Sequence, residues 1–358
     1  MKTNTNNANT QETAFTITSR KAKLIKLGLD IHAESYRVVR QVDNATPQPA
    51  QKFTPEKFLV WVAKQLESAQ EVYSCYEAGP FGYTLHRRLS KLGVHNVVVR
   101  PQNWDELGRK VKTDRTDALA LVQRLDRYLQ GNTKALALIT VPSPQQEQDR
   151  ALSRHREQLQ KDRQAHEAQG RSFLLYVGRR LKGAWWRPAA WNTLQRLLED
   201  WQIQILESLR TLILSADQQL NKIQAQLVSQ AQSPAKGFGA LSTEILDREV
   251  MDWNRFSNRR QVGSLTGMCP GVWASGNKVL RGSITKHGNP RIRRLLMEMS
   301  WRVIQFQPQY RPVQKWRQHL ARPGAARKKA AVAIGRQLAI DLWRLQTGRT
   351  TLEKLNLQ

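Results

Sequence analysis

Between residues 22 and 144, the spacing of apolar residues changes repeatedly between a pattern typical of strands and one typical of helices. The runs LIKLGLDIH and YRVVRQV predict two short strands joined by a turn at residues 32–35. Apolar residues at helical spacing predict helices, and compact apolar runs predict further strands. The predicted helices span residues 55–69, 81–93 and 117–130, and the further strands span residues 71–79 and 94–101. Strands that alternate with helices in this way predict an α/β domain with a mixed sheet.

Residues 145–230 have a different character, because they are rich in Gln, Arg, Glu, Leu and Ala and poor in strand-forming residues. Two long helices, at residues 145–178 and 190–230, are predicted on either side of the break GRRLKGAWWRPAA. The apolar spacing is too irregular for a regular heptad repeat. We therefore expect a helical, coiled-coil-like hairpin that acts as a linker between domains or joins subunits.

The chain changes again over residues 231–358. Residues 263–289 contain six glycines, which predict turns or close approaches of the backbone. A helix resumes at Pro290, and a last helix is predicted over residues 324–346. The pattern predicts a mainly α-helical C-terminal domain.

The net charge of the chain indicates which class of binding partner it suits. Lys and Arg together number 57 against 29 Asp and Glu, which gives a formal net charge of +28. Nucleic acid suits such a surplus because each neutralised phosphate releases a condensed counterion. No apolar run of about 18 residues occurs, so no membrane span is expected. Residues 1–21 are polar and lack the apolar centre of a signal peptide, so we expect a disordered leader. The two widely separated cysteines, Cys75 and Cys269, suit buried thiols in a reducing cytoplasm.

Four carboxylates stand at the ends of predicted elements in the first domain. Asp30 follows an apolar strand, Glu77 ends the next strong strand, and Asp114 and Asp117 lie one turn apart at a helix start. Burying an unpaired carboxylate is costly, whereas a set of carboxylate oxygens suits Mg²⁺ or Mn²⁺. The spacing alone leaves two interpretations open, a shared metal site or separate turn, cap and first-turn acids.

Basic residues accompany both candidate regions. Lys112 and Arg115 flank Asp114 and suit either a nucleic-acid backbone or a solvated surface. The C-terminal segment from Ser264 to Leu296 contains a small nucleophile, Ser275, in an Ala-Ser-Gly-Asn turn, which is also a common place for an inert serine. Phosphate contacts are predicted for the basic residues around it, which are Lys278, Arg281, Lys286, Arg291, Arg293 and Arg294.

Taken together, these segments resemble bacterial insertion-sequence transposases of the IS110 family, and more closely its IS1111 group. The resemblance covers nearly the whole chain past residue 22. It is carried by the motifs LGLDIH, YEAGPFGYTLHRRL, VKTDRTDALAL and GSLTGMCPGVWASGNKVLRGSITKHGNPRIRRLL. The TDRTDA motif and the segment from SGNK to NPRIRR are the most specific of these.

The resemblance implies an RNase H-like (RuvC-like) domain over residues 22–144, in which Asp30, Glu77, Asp114 and Asp117 bind Mg²⁺. It also implies a C-terminal transposase domain over residues 231–358, with a serine nucleophile at Ser275. Trp273 and Ala274 precede Ser275 where polar residues are more usual, so Ser283 is a second candidate.

The same resemblance implies partners. Family members act on DNA at element ends and targets, guided by a structured non-coding RNA of the element that pairs with both DNAs. They form a dimer that pairs into a tetramer on DNA, with active sites composed of both domains. Two other functions stay open, a catalytically inactive nucleic-acid-binding protein and a junction endonuclease that cuts without a covalent serine step.

Overall fold

The computed structural model describes residues 21–101, 114–229, 231–275 and 278–358, without the side chains of residues 114–116, 275, 278 and 281. The chain divides into two compact units, Met1–Val141 and Pro142–Gln358. Residues 1–20 of the predicted leader and Lys112 lie outside the described residues. The predicted division of the second unit at residue 230 stays a prediction.

A five-stranded mixed sheet in the order β3-β2-β1-β4-β5 forms the centre of the first unit. The prediction of a mixed α/β sheet is confirmed, since β1 pairs antiparallel with β2 and parallel with β4. The short β3, which lies at the sheet edge, was not predicted from the apolar pattern. The elements are β1 (Ala22–Ile31), β2 (Tyr36–Val42), β3 (Gln51–Phe53), α1 (Pro55–Ser68), β4 (Ala69–Glu77), α2 (Thr84–Leu92), β5 (His95–Val99) and α3 (Asp114–Leu129).

Alternation along β1 sends its side chains to two different layers. Leu27 and Leu29 are fully buried in a core that includes Phe58 of α1 and Leu89 of α2. Lys26, Gly28 and Asp30 therefore share the opposite face, and Lys26 donates to Asp126 of α3 across it. The sheet is thus a central layer, with α1 and α2 on one side and α3 on the other.

Helix α3 crosses β1 at Gly28 with almost no space between the two backbones. A Cβ added at Gly28 would lie 2.3 Å from the carbonyl oxygen of Ala118 and 2.5 Å from the nitrogen of Val122. Contacts from β1 move towards the start of α3 as β1 advances from Lys26 to Gly28. Helix α3 therefore runs antiparallel to β1, and its first turn lies at the carboxyl end of that strand.

A long helical hairpin begins the second unit, as predicted, but the helix predicted over residues 190–230 is divided into a short helix, Pro188–Gln195, and a long one, Asp200–Val228. The two long helices pack side by side, and a tryptophan-rich segment fills the space near their connection. Gly170 permits this packing, because a Cβ there would lie 2.1 Å from Cζ2 of Trp185. The elements are α4 (Pro144–Tyr176), α5 (Pro188–Gln195) and α6 (Asp200–Val228).

The rest of the second unit is helical around a two-stranded hairpin. The glycine-rich segment predicted as turns contains both strands, because its glycines and exposed apolar residues hide the alternation that marks a strand. None of the described helices is long and apolar enough to cross a bilayer. The elements are α7 (Ala240–Val250), a 3₁₀ turn (Trp253–Arg255), α8 (Arg259–Thr266), β6 (Pro270–Ser275), β7 (Lys278–Ile284), α9 (Pro290–Phe306), α10 (Arg311–Ala321), α11 (Ala325–Gln346) and α12 (Leu352–Leu355).

Replacing Gly28 with Ala tests the close approach of α3. We expect Gly28→Ala to lower the free energy of unfolding of the first unit by about 1–3 kcal/mol or more, because the added methyl group overlaps backbone atoms that cannot rotate away. The measurement is the urea midpoint of the full chain. Gly79→Ala is the matched control, since its added Cβ meets no heavy atom closer than 4.0 Å. Equal midpoints for both variants would contradict the tight packing.

Candidate functional site

The pairing of β1 with β4 brings two of the predicted acids to neighbouring positions. These strands are parallel, and the last pair in their register joins Leu29 to Tyr76. Asp30 and Glu77 follow directly, at the carboxyl ends of adjacent strands and on the same face of the sheet. Both side chains are half-buried. Residues 47 positions apart in sequence are thus neighbours at one sheet edge.

Helix α3 covers this same face. The Sγ of Cys75, two residues before Glu77, lies 3.4 Å from the carbonyl oxygen of Leu121. Burial raises the pKa of the Cys75 thiol, and the negative charge of Glu77 raises it further. Asp117, which is half-buried, lies one turn before Leu121 and therefore towards the carboxyl ends of β1 and β4. The backbone of Asp114 begins α3 at that same end.

The side chains described at this edge do not by themselves form a metal-binding group. Within the described residues, no three His, Cys, Asp or Glu side chains come together closely enough to hold a metal ion. Asp30 instead has His32 close by, with Oδ2 and Nε2 separated by 3.3 Å. The side chains of Asp114 and Arg115 lie outside the description. The four-acid metal cluster therefore stays a prediction.

The two candidate serines lie at opposite ends of the β6–β7 hairpin. Ser275 ends β6 and pairs with Lys278 next to the turn, whereas Pro270 pairs with Ile284 at the base. Ser283 lies near that base, and its side chain is exposed. Trp273 covers Gly282, where an added Cβ would lie 2.2 Å from its ring. The side chains of Ser275, Lys278 and Arg281 are outside the description, so their roles stay predictions.

Two of the arginines predicted to contact phosphate bind a carboxylate within the second unit. Arg291 Nε donates to Glu157 Oε2 at 2.6 Å, and Arg294 Nη1 donates to Glu157 Oε1 at 3.0 Å. Arg293 Nη1 donates to the carbonyl oxygens of Thr266 and Lys286. Lys286 itself is exposed, with a backbone φ of 58°. These arginines therefore have a structural role whether or not they also meet phosphate.

The carboxyl group of Glu157, on α4, has a pKa far below its usual range. Burial opposes ionisation, but hydrogen bonds from Lys161 and Arg291 and the charge of Arg294 outweigh it and lower the pKa of Glu157 to about 2. Sequence reasoning missed this residue, because its partners on α9 are more than a hundred residues away. Glu157 joins the helical hairpin to α9, the helix that begins within the NPRIRR motif.

A second carboxylate, Glu249 of α7, supports the start of the same helix. It accepts two hydrogen bonds from Arg154, at 2.9 and 3.1 Å, and one from the amide of Asn289, at 2.9 Å. Asn289 caps α9 through the amide nitrogens of Arg291 and Ile292. Burial raises the pKa of Glu249, but the bonds from Arg154 and Asn289 outweigh it and leave that pKa below its usual range. The sequence predicted only that a helix begins at Pro290.

Comparisons with known proteins agree with this arrangement of motifs. Residues 233–314, which include both candidate serines, match the model described as Transposase IS116/IS110/IS902 family. The chain is 28% identical over 312 residues to y4rJ of Sinorhizobium fredii, provisionally named a transposase, and the match covers 77% of each chain. It is 33% identical over 237 residues to y4qE of that organism, named likewise, covering 65% of this chain and 58% of the relative. The transposase for insertion sequence element IS1533 of Leptospira borgpetersenii is 23% identical over 301 residues, covering 77% of this chain and 84% of the relative.

Replacing Glu157 with Gln tests the ion pairs that hold α9. We expect Glu157→Gln to lower the unfolding free energy of the second unit by about 1.5–3 kcal/mol at neutral pH, because charged hydrogen bonds are lost. A lowered pKa gives stability that is complete above the ordinary value, 4.5, and is lost as pH falls towards 2. The difference between wild type and variant should therefore shrink over that range. The measurement is urea unfolding at several pH values.

Asp162→Asn is the control for this prediction, since Asp162 lies on the same helix and accepts only a bond from Gln158 among the contacts described for it. It should leave the midpoint nearly unchanged. A Glu157→Gln variant as stable as wild type at neutral pH would show that these ion pairs contribute nothing.

Proposed function

We propose that this chain, which its similarities support as an insertion-sequence transposase of the IS110/IS116/IS902 family, cuts DNA and rejoins it at element ends and at a target. The observation that carries the catalytic part of the proposal is the parallel pairing of β1 with β4, which makes Asp30 and Glu77 neighbours. The net charge of +28 supports a polyanionic substrate.

The acids at the sheet edge supply the donor chemistry for a divalent cation. Carboxylate oxygens from two strand ends and one helix start are the ligands that Mg²⁺ and Mn²⁺ take. We propose Asp30, Glu77, Asp114 and Asp117 as that set. A cation bound by them would polarise the scissile phosphate and stabilise its developing charge.

Ser275 is proposed as the nucleophile. Its Oγ would form a bond to phosphorus while the bond from phosphorus to one sugar oxygen breaks. The serine proton passes to solvent, and the departing sugar oxygen takes up a proton from water. The hydroxyl of the partner strand then attacks this phosphorus and forms a new phosphodiester while the bond from phosphorus to Ser275 Oγ breaks. The attacking hydroxyl gives up its proton to solvent, and Oγ takes up a proton from water. This exchange conserves the number of phosphodiester bonds, so strands are rejoined without an external energy source.

The remaining parts of the proposal concern partners. A structured non-coding RNA from the element would choose the donor and target DNA by base pairing. The chain would act as a dimer that pairs into a tetramer on DNA, in the bacterial cytoplasm and associated with the nucleoid. These parts rest on the resemblance of the motifs and on the basic charge.

Recombination of a donor plasmid with a target plasmid tests the catalytic residues. We expect Ser275→Ala and Asp30→Asn to lower recombination by at least about a thousandfold, since each removes a group on which the chemical step depends. Chelation of divalent cations should also abolish recombination, and added Mg²⁺ should restore it. Binding to DNA should stay near wild type for Ser275→Ala, because no charge is lost.

Ser283→Ala separates the alternatives in this assay. Recombination near the wild-type rate with Ser275→Ala but not with Ser283→Ala would move the nucleophile to Ser283. Strand cleavage that survives both substitutions would favour a junction endonuclease, and no cleavage by the wild-type chain would favour an inactive binding protein.

Copurifying nucleic acid tests RNA guidance. Chain purified from cells that carry its own locus should be enriched in one RNA transcribed beside its gene. The affinity for that RNA should fall steeply with salt, because many phosphates are neutralised. The measurement is sequencing of the bound RNA followed by binding at several salt concentrations. Recovery of cellular RNA without enrichment of the flanking transcript would contradict RNA guidance and leave DNA binding intact.

A further inference from the structure

A cavity of about 980 Å³ lies within the second unit. Its two long walls come from α10 and α11, and the base of the β6–β7 hairpin closes one side through Gly282, Ser283 and Ile284. Its volume is near the top of the range, about 300–1,000 Å³, of sites that enclose small molecules. An unpaired nucleotide or two can fit inside such a space.

The charge of the cavity is strongly one-sided. The single carboxylate among the described residues that line it is Asp341, which is buried and engaged. It accepts hydrogen bonds from Tyr310, Gln337 and Arg344, at 2.7, 3.0 and 3.1 Å. The walls also contain six cations, which are Arg311, Lys315, Lys328, Lys329, Arg336 and Arg344.

The cations are spread along the two helices rather than gathered around one point. On α11, Lys328 and Arg344 are sixteen residues apart, which is about 24 Å along the helix axis. On α10, Arg311 and Lys315 are one turn apart. Four of the six, at positions 311, 315, 328 and 329, are exposed. Cations spread over this length suit a chain of phosphates better than a single compact anion, because several phosphates can be contacted at once.

One aromatic ring interrupts the basic lining. Trp316 lies on the cavity wall of α10, half-buried against the apolar core of this unit. The ring of His319 packs edge-on against it, with centroids 5.0 Å apart, which fixes its orientation. An aromatic ring beside a row of cations is the combination that binds unpaired strands, since bases stack on the ring while phosphates meet the cations. In a duplex the bases are already stacked on one another and cannot reach such a ring.

We propose that this cavity binds an unpaired nucleic-acid strand, with one base stacked on Trp316 and its phosphates held by the lysines and arginines of α10 and α11. The inference rests on the proposed function in one respect: a transposase of this kind encounters unpaired strands of DNA or RNA. The cavity lies at the base of the hairpin, whereas Ser275 is five residues further along β6, about 16 Å away in an extended strand. The cavity therefore holds a strand at a site distinct from the proposed nucleophile.

Binding of fluorescently labelled single-stranded oligonucleotides to the full chain tests this site. We expect Trp316→Ala to weaken binding of oligo(dT) or oligo(U) about tenfold, within the range that one stacked base contributes. Trp316→Phe should keep most of the affinity because it retains a ring. Binding of a blunt duplex should change much less. The stronger of the two oligonucleotide responses identifies DNA or RNA as the source of the strand.

A charge variant supplies an independent measurement. Replacing Lys328 and Lys329 with Ala should reduce the steepness of the salt dependence by about 1.4 units of log affinity per log salt, if each lysine contacts one phosphate of a single strand. The matched control replaces Lys182 and Lys222 with Ala, which are exposed on the helical hairpin segment and remove the same charge. That control should leave the slope nearly unchanged.

Three outcomes would overturn the proposal: wild-type affinity in Trp316→Ala, equal losses for single strands and duplex, or equal slopes in the two double-lysine variants. Normal circular dichroism spectra of Trp316→Phe and Trp316→Ala would show that a change in their binding does not come from unfolding. If the wild-type chain recombines DNA and the cavity variants bind single strands normally, the cavity proposal alone is contradicted. Trp316-dependent binding by a wild-type chain that never recombines DNA would contradict the transposase proposal alone.

Discussion

Contact between the bare backbone of β1 at Gly28 and the backbone of α3 is the constraint on which the first unit depends. A side chain at this position would have to occupy the space of the Ala118 carbonyl. Because α3 sits so close, its first turn is held at the carboxyl ends of β1 and β4, beside Asp30 and Glu77. Lys26 and Asp126 fix the other end of the same crossing by an ion pair in which the lysine is fully buried. The acidic edge is thus a consequence of how one helix packs on one strand.

The second unit separates its positive charges into two kinds. Arg291 and Arg294 are tied to Glu157, and Arg154 is tied to Glu249, so these guanidiniums hold the helical hairpin, α7 and α9 together. The cations of the cavity between α10 and α11 face one carboxylate that is already engaged by three donors. Arg344 is one of those donors, and the other cavity cations have no second carboxylate beside them among the described lining residues, so they suit a polyanion. A net charge alone could not have distinguished these groups.

Local order along the chain was predictable because it depends on near neighbours. The period of apolar residues predicted β1, β2, β4, β5 and the three helices of the first unit, and the proline positions marked the starts of α1 and α9. The β6–β7 hairpin was missed, since its large apolar residues Val272, Trp273, Val279 and Leu280 are exposed and no buried face creates an alternation. Helix α10 was also missed, because it is short, basic and interrupted in its apolar spacing.

The sequence by itself determined the charge, the helices and strands with strong periodicity, the start of α9 at Pro290 and the motifs that resemble a transposase family. Tertiary structure decided that Asp30 and Glu77 are neighbours. Parallel pairing joins β1 to β4, and the local pattern of one strand does not indicate which other strand it pairs with. Tertiary structure also decided that Arg291 and Arg294 meet Glu157, over separations of 134 and 137 residues. Periodicity reports only whether a side chain is turned inward; the partner it finds there is set by chain folding over distances that no local pattern encodes.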